Sequence, residues 1–159
     1  MDFDELIRRY RRPLTAAAYH LCGDADSAQD IVQETLLDAY RGFAGLREAD
    51  KVGAWLYAIL RRKASSYRRA KKPEFELPDD PPSADHDLLE ELTRGIVIEQ
   101  LEHLSAEDRE VLAGKYLLGL SYDELAQSLG VSNVALRARC LRAKEKLRKA
   151  LSNSMAEEV

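Results

Sequence analysis

The 159-residue sequence has few of the features that membrane or secreted proteins need. Its longest uninterrupted apolar run, residues 53–60, is far shorter than the roughly 20 residues of a membrane-spanning helix. The first residues, MDFDEL, are acidic, whereas a signal peptide begins with basic residues. These absences predict a cytoplasmic protein with no membrane insertion.

Cysteine and histidine are also scarce, with two and three residues respectively. Cys22 and Cys140 each fall on an apolar helical stripe, which predicts two buried thiols in a reduced protein rather than a disulfide. His20 lies too close to Cys22 to form a metal site of recognisable spacing, and His86 and His103 are isolated. No metal or other cofactor is therefore expected.

The sequence lacks the patterns of an enzyme and of a β-sheet. It has no phosphate-binding glycine-rich loop, no nucleophile with a base at motif spacing, and no sustained period-two alternation. An enzyme acting on nucleic acid would need paired carboxylates or a metal cluster, but the acids are spread over surfaces and a linker. With 33% charged and 7% aromatic residues, the chain is predicted to be an all-α protein and not an enzyme.

Apolar residues recur at helical spacing through the N-terminal part of the chain. Residues 3–22 form a stripe interrupted by Pro13, which predicts either one kinked helix or two short ones. Asp24 or Asp26 can cap the next helix. Its predicted inward face consists of Ala28, Ile31, Val32, Thr35, Leu36, Ala39 and Tyr40, and its outward face includes Asp30, Gln33, Glu34, Leu37 and Asp38.

A third predicted helix begins near residue 52 and continues into a basic stretch. Residues 61–72 contain seven Lys/Arg and no acid, whereas residues 73–87 contain four of the five prolines and six acids. The second stretch is too polar and proline-rich to pack. We therefore expect two small helical domains, residues 1–72 and 88–159, joined by a flexible, acidic, proline-rich linker, residues 73–87.

The second domain contains the clearest local signal. Residues 88–104 suggest one helix, and Ser105 can cap another that ends near Gly119. Residues 121–147 then predict a helix-turn-helix. Ser121 and Glu124 form a capping box, Gly130 suits the turn, and Ser132 can cap the second helix. On that helix Leu136, Cys140, Ala143 and Leu147 predict a buried face, and seven Lys/Arg occupy most of the remainder.

The charge distribution indicates the partners. The net charge is −4, yet residues 132–150 carry seven Lys/Arg and one acid, which makes a second basic stretch beside residues 61–72. Binding follows the local field, so two basic patches on an acidic body predict nucleic acid at two places and a different partner elsewhere. The alternative is a helix-turn-helix regulator that binds duplex DNA as a dimer. The acidic face around Leu37 and the second basic helix argue against it.

Three stretches together resemble the extracytoplasmic-function (ECF) sigma factors of the sigma-70 family. DSAQDIVQETLLDAYRGF is similar to the family's helix that docks on the clamp helices of the largest RNA polymerase subunit. GAWLYAILRRKASSYRR resembles the helix that opens and recognises the −10 promoter element. LSAEDREVLAGKYLLGLSYDELAQSLGVS, followed by RARCLRAKEKL, resembles the domain that recognises the −35 element.

The resemblance implies three sets of site residues. The polymerase-binding set is Asp30, Gln33, Glu34, Leu37 and Asp38. The −10 DNA-binding set is Arg61, Arg62, Lys63, Ser65, Ser66, Arg68 and Arg69. The −35 DNA-binding set is Ser132, Asn133, Ala135, Arg137, Ala138, Arg139, Arg142 and Lys146.

The chain departs from the family at four of its positions. Arg62 and Ser66 stand where the family usually has Asn and Asp, and Val134 and Ala135 replace its frequent Gly-Thr pair. Family-typical Arg139, Arg142 and Ala143 are retained. The resemblance implies a sigma factor that binds core RNA polymerase, recognises and melts promoter DNA, and is controlled by an anti-sigma factor. We also expect the linker acids to favour a partly closed form of the free protein by screening the two basic faces.

Overall fold

The computed structural model of the chain describes residues 2–46, 51–70 and 104–157. Within these ranges it contains helices and turns and no strand, which confirms the predicted all-α class. None of the described helices combines the length and the apolar character needed to cross a membrane. The predicted linker, both domain boundaries beside it and all but the last residue of the predicted helix at 88–104 lie outside the described residues.

In its described residues the N-terminal unit has three α-helices: α1, Phe3–Cys22; α2, Ala25–Gly42; and α3, Val52–Ala70. A 3₁₀ turn, Phe43–Gly45, follows α2. Of the two alternatives for residues 3–22, the single helix is found, with Pro13 inside it. It ends at Gly23, whose φ of 73° lies in the left-handed region that glycine adopts without strain. Asp24, rather than Asp26, caps α2 by accepting a hydrogen bond from the Asp26 backbone.

The C-terminal unit contains α4, Ala106–Leu112; a π-helical turn, Ala113–Leu117; α5, Tyr122–Leu129; and α6, Asn133–Glu157. Ser105 caps α4 as predicted, through a 3.1 Å bond from the Asp108 backbone. The predicted helix from Ser105 to the break at Gly119 is found, but its last part, Ala113–Leu117, is a π-helical turn. This turn brings Gly114 close to Tyr57 of the N-terminal unit. Local sequence patterns do not predict this contact.

The two units share one apolar core. Buried residues of α1, α2 and α3 are continuous with Val111, Ala113, Leu120, Leu125 and Leu136 of the C-terminal unit. A smaller cluster of Leu104, Leu112 and Ala143 joins α6 to α4. The described parts of the chain therefore pack as one body, which we call the closed arrangement.

Candidate functional site

The predicted polymerase-binding residues lie along the outer face of α2, between two grooves. Gln33 and Leu37 line a groove of about 670 Å³ between α1 and α2. Asp30, Glu34 and Asp38 line a cleft of about 660 Å³ between α2 and α3. Asp38 is half-buried and the other four are exposed. The structure therefore places all five on one ridge, with an apolar groove on one side and a charged cleft on the other.

The groove between α1 and α2 contains aromatic residues absent from the predicted set. Phe3 and Tyr40 lie in its wall, and their rings meet edge to face with centroids 5.2 Å apart. The prediction that Tyr40 faces inward is wrong, since 66% of its surface is exposed. Its ring packs edge to face against the Phe3 ring instead of entering the core. Helical periodicity assigned Tyr40 to the buried face of α2. At Tyr40, however, no neighbouring helix in the described residues covers that face enough to bury the side chain.

The cleft between α2 and α3 is held by ion pairs. Lys63 Nζ lies 2.8 Å from Asp38 Oδ2 and 3.9 Å from Glu34 Oε2. The hydrogen bond from Lys63, aided by nearby positive charge, holds the pKa of the Asp38 carboxyl below its ordinary value. Lys63 was predicted to contact −10 DNA, but in this arrangement its charge is directed at the acids of α2.

The other predicted −10 residues divide between two faces of α3. Arg62, Ser66 and Arg69 are exposed, and Ser65 is half-buried. Arg61 and Arg68 instead face the C-terminal unit. Arg61 Nη2 donates to the Ser128 carbonyl at 2.9 Å, which ties α3 to α5. In the closed arrangement the basic stretch of α3 is therefore only partly accessible.

Glu110 of α4 is the acidic centre of the contact between the units. Its Oε1 lies 2.8 Å from Arg68 Nη2, and its Oε2 lies 4.0 Å from Arg61 Nη1. The buried Tyr57 hydroxyl donates to the Glu110 backbone carbonyl. Burial raises the pKa of Tyr57, so this hydroxyl keeps its proton and remains a donor. None of these partners of Glu110 was predicted from the sequence, because they lie 42 to 53 residues away along the chain.

Close apolar packing surrounds this polar contact. A Cβ atom added at Gly114 would lie 2.6 Å from Leu125 Cδ1 and 3.0 Å from Tyr57 Cε1. A Cβ added at Gly53 would meet Leu120 Cδ2 and Tyr10 Cε1 at 3.4 Å. Gly114 therefore leaves room for the Tyr57 and Leu125 side chains, whereas the contacts at Gly53 are at ordinary van der Waals distance.

The predicted helix-turn-helix is confirmed in its details. The Ser121 hydroxyl accepts from the Glu124 backbone, and the Glu124 carboxylate accepts from the Ser121 backbone, each at 3.1 Å. Gly130 ends α5 with a φ of 69°. The Ser132 hydroxyl caps α6 by accepting from the Ala135 backbone at 3.1 Å. Local sequence chemistry thus determines both ends of the turn.

Contacts on the helix-turn-helix surface hold several predicted −35 residues in place. Arg137 Nε donates to Asn133 Oδ1 at 2.6 Å, and its guanidinium carbon lies 4.8 Å from the Tyr122 ring centroid. Lys146 Nζ pairs with the buried Asp108 of α4 at 3.1 Å. Lys146 therefore helps to hold α6 against α4.

The remaining predicted −35 residues lie at different depths on the same surface. Ser132, Ala135, Ala138 and Arg142 are exposed, and Arg139 is half-buried. Two exposed large apolar residues of α6 were absent from the predicted set, Val134 and Leu141. They lie opposite the buried face of α6, so the helical spacing alone could have predicted that they are exposed.

Comparison with known proteins assigns the chain to a family. The profile of Sigma-70 region 2 matches residues 6–74, and that of Sigma-70 region 4 matches residues 94–147. The ECF RNA polymerase sigma factor SigM of Mycobacterium tuberculosis is 32% identical over 151 residues, which cover 94% of this chain and 76% of that protein. The ECF sigma factor EcfG of Rhodopseudomonas palustris is 32% identical over 154 residues, covering 91% and 82%.

Solved structures show the same architecture over almost the whole chain. The sigma factor RpoE of Bartonella quintana, in complex with the anti-sigma factor NepR, is 25% identical with a TM-score of 0.77, covering 95% of this chain and 97% of that one. CnrH in complex with the cytosolic domain of CnrY has a TM-score of 0.70 at 25% identity, covering 95% and 88%. The chain belongs to the extracytoplasmic-function sigma factors of the sigma-70 family, which bind core RNA polymerase and direct transcription initiation at promoters.

Proposed function

We propose that this sigma factor uses three separate helix faces: α2 for core polymerase, α3 for the −10 element and α6 for the −35 element. Residues 1–72 would form the polymerase and −10 domain, residues 88–159 the −35 domain, and residues 73–87 the tether between them. Because each contact alone is weak, tethering raises the effective concentration of the second site once the first is bound. Its place of action is the cytoplasm.

For polymerase, the ridge of α2 offers complementary chemistry on its two sides. Leu37 and Tyr40 present apolar surface beside the polar Gln33, and Asp30 and Glu34 present negative charge on the opposite side. Exposed apolar residues rimmed by polar ones are typical of a protein-binding surface. We assign Asp30, Gln33, Glu34, Leu37 and Asp38 to the contact with the clamp helices of the largest subunit, and we add Phe3 and Tyr40.

For the −10 element, the exposed face of α3 supplies Arg62, Ser66 and Arg69 directly. Arg61 and Arg68 join that face only after they leave Glu110, and Lys63 only after it leaves Asp38. Captured single-stranded bases and neutralised phosphates would then make melting favourable, with no chemical step by the protein. The observation that carries this proposal is the engagement of Arg61 and Arg68 by the C-terminal unit, because it makes the closed arrangement incompatible with full −10 binding.

For the −35 element, α6 is the second helix of a helix-turn-helix, and its exposed cations suit the major groove of duplex DNA. The assigned residues are Ser132, Asn133, Ala135, Arg137, Ala138, Arg139, Arg142 and Lys146.

An anti-sigma factor would act by stabilising the closed arrangement. The two similar solved structures are sigma factors bound to NepR and to the cytosolic domain of CnrY, and the present chain matches each over at least 88% of its length. We infer that a protein inhibitor binds across the two units of this chain and keeps Glu110 on Arg68. Polymerase and promoter DNA would bind the separated form. The inhibitor would therefore compete with them by shifting the equilibrium toward the closed form.

The experiment is run-off transcription with purified core polymerase, combined with an interdomain distance measured by fluorophores on α2 and α6. We expect the labelled chain to support promoter-dependent transcription and the distance to increase when core binds. Transcription without any increase in distance would contradict the role given to the closed arrangement. Failure to bind core would contradict the surface assigned on α2.

A further inference from the structure

An apolar row runs along the outer face of α6. Val134, Ala138 and Leu141 follow one another at spacings of four and three residues, so they lie in line on one side of the helix. Val134 is 79% exposed and Leu141 62% exposed. We propose that this row contacts the 5-methyl groups of thymines in the major groove of the −35 element. The inference rests on the proposed entry of α6 into that groove.

Packing among the described residues does not account for the row. The apolar face that α6 uses for folding is formed by Leu136, Cys140 and Ala143, all buried. It lies on the opposite side of the helix and packs against α4 and α5. A single exposed leucine is common on protein surfaces. Two large apolar side chains in line, on a helix whose other outward positions are mostly cationic, form a second surface with its own partner.

The charges beside the row identify that partner as a polyanion. Arg137 lies on one flank of the row, and Arg142 lies on the other. Arg137 is held at its edge by Asn133 and by the Tyr122 ring. Cations on both flanks are placed to meet the phosphates on the two walls of a groove, while the apolar row faces its floor.

The chemistry of the groove floor then limits what the row can recognise. In the major groove, adenine, guanine and cytosine present hydrogen-bonding groups, and thymine adds a methyl group. Valine, alanine and leucine side chains have no hydrogen-bonding atoms, so they gain nothing from amino or carbonyl groups and gain free energy by burying a methyl.

The geometry of the row predicts how the thymines are spaced. Val134 and Leu141 are seven residues apart, which corresponds to about 10.5 Å along a helix. A helix in the groove is inclined to the DNA axis, so this length spans at most about three base-pair steps of 3.4 Å. The row ends at Glu145, which pairs with Arg148 at 3.2 Å. The base-contacting part is therefore the N-terminal part of α6, as in other helix-turn-helix proteins.

The test uses holoenzyme reconstituted from core polymerase and the full chain. A duplex pool randomised in the −35 region is selected for binding, and we expect thymines enriched at two positions no more than about three base pairs apart. Replacing each selected thymine by uracil removes only the methyl group. This should weaken binding by the parent about fourfold per methyl, the value of one buried methyl group.

Two variants make the result specific to each position. Val134→Ala should lose the sensitivity to one methyl and Leu141→Ala the sensitivity to the other, so each variant controls for the other. Both side chains are exposed, so thermal unfolding should be unchanged. If uracil has no effect on the parent while Arg142→Ala still weakens binding to the selected −35 DNA, the apolar row is misassigned and the proposed function stands.

Other outcomes also decide the matter. A holoenzyme with no dependence on the −35 sequence would overturn both the row and the −35 assignment. Variants that lose affinity for core polymerase and keep the parent's methyl sensitivity would show that the row contacts protein instead of DNA.

Discussion

Arg68 and Glu110 form an ion pair of 2.8 Å across the boundary between the N-terminal and C-terminal units. Their side chains are 15% and 12% exposed, so water screens the pair far less than it screens a surface salt bridge. Arg68 belongs to the helix proposed to bind −10 DNA. The Glu110 carboxylate therefore pairs with an arginine that the proposed contact with −10 DNA requires.

Removing this carboxylate should open the protein. Glu110→Gln keeps the shape of the side chain and removes its charge, which leaves Arg61 and Arg68 partly buried without a full negative partner. Hydrogen bonds to charged groups contribute about 1.5–3 kcal/mol, so the closed form should lose roughly that much relative to the open form. Paired fluorophores on α2 and α6 should report a longer distance in the free variant.

Glu107→Gln is the matched control, because Glu107 is an exposed acid on the same helix, α4. It removes the same charge and should leave the distance unchanged. Equal distances in parent, Glu107→Gln and Glu110→Gln would show that the charge of Glu110 does not hold the two units together.

Charge reversal on α2 should separate polymerase binding from folding. Gln33 and Glu34 are both exposed, so replacing both with Lys should abolish binding to core polymerase and leave the helical circular dichroism signal intact. Affinity for core, measured by fluorescence anisotropy, checks the prediction.

The control for this pair is Gln127→Lys with Glu107→Lys, which makes the same chemical changes at exposed positions of the C-terminal unit. It should bind core with nearly the parent affinity. If the α2 variant binds like this control, the polymerase-binding surface lies elsewhere.

How much of this could be predicted from sequence depends on the range of the interaction. Ser121, Gly130 and Ser132 act on backbone atoms within four residues, so capping chemistry predicted the helix-turn-helix correctly. The resemblance likewise led to the exposed face of α2. The role of Glu110 could not be predicted from local sequence. Its partners are far away along the chain, so its place in the sequence resembles that of any acid on a helix.

The mechanism of closure shows the same limit. The sequence predicted closure through the acids of residues 73–87. These acids lie outside the described residues, so this stays a prediction. Closure in the described residues instead involves Glu110 and the close approach of Gly114 to Tyr57. The position of Tyr40 was also wrong, because periodicity assigns a direction to a side chain and does not show whether a neighbour covers it.

Single-stranded DNA should distinguish the two faces of α3. Arg62→Ala and Arg69→Ala remove exposed cations, so each should lower the salt dependence of holoenzyme binding to a single-stranded oligonucleotide by about 0.7 for each phosphate that the removed cation neutralised. Arg8→Ala removes an exposed cation from α1 and should leave the slope unchanged. Identical slopes for all three variants would exclude the exposed face of α3 as a nucleic-acid contact.

His20 should make the closed arrangement sensitive to acid. It is buried on α1, and its Nδ1 has no hydrogen-bond partner among the described residues. Burial, with a smaller effect of the Arg109 charge, lowers the pKa of His20 from 6.5 to about 4. Arg109 belongs to α4, so this histidine lies where the C-terminal unit packs against α1.

The sign of the pH effect follows from this lowered pKa. Between pH 6.5 and about 4 the unfolded chain binds a proton at His20 that the folded chain excludes, so folding stability is full above pH 6.5 and falls as the pH drops through this window. Between pH 7 and pH 5 the free energy of unfolding should decrease by about 2 kcal/mol from this residue alone. Urea unfolding at the two pH values measures it, and His20→Gln, which cannot titrate, isolates it from the other titratable groups of the chain. The parent should lose more stability than His20→Gln by that amount. Equal losses in the two proteins would show that His20 is already accessible to protons in the folded chain, and that α4 does not close over it in solution.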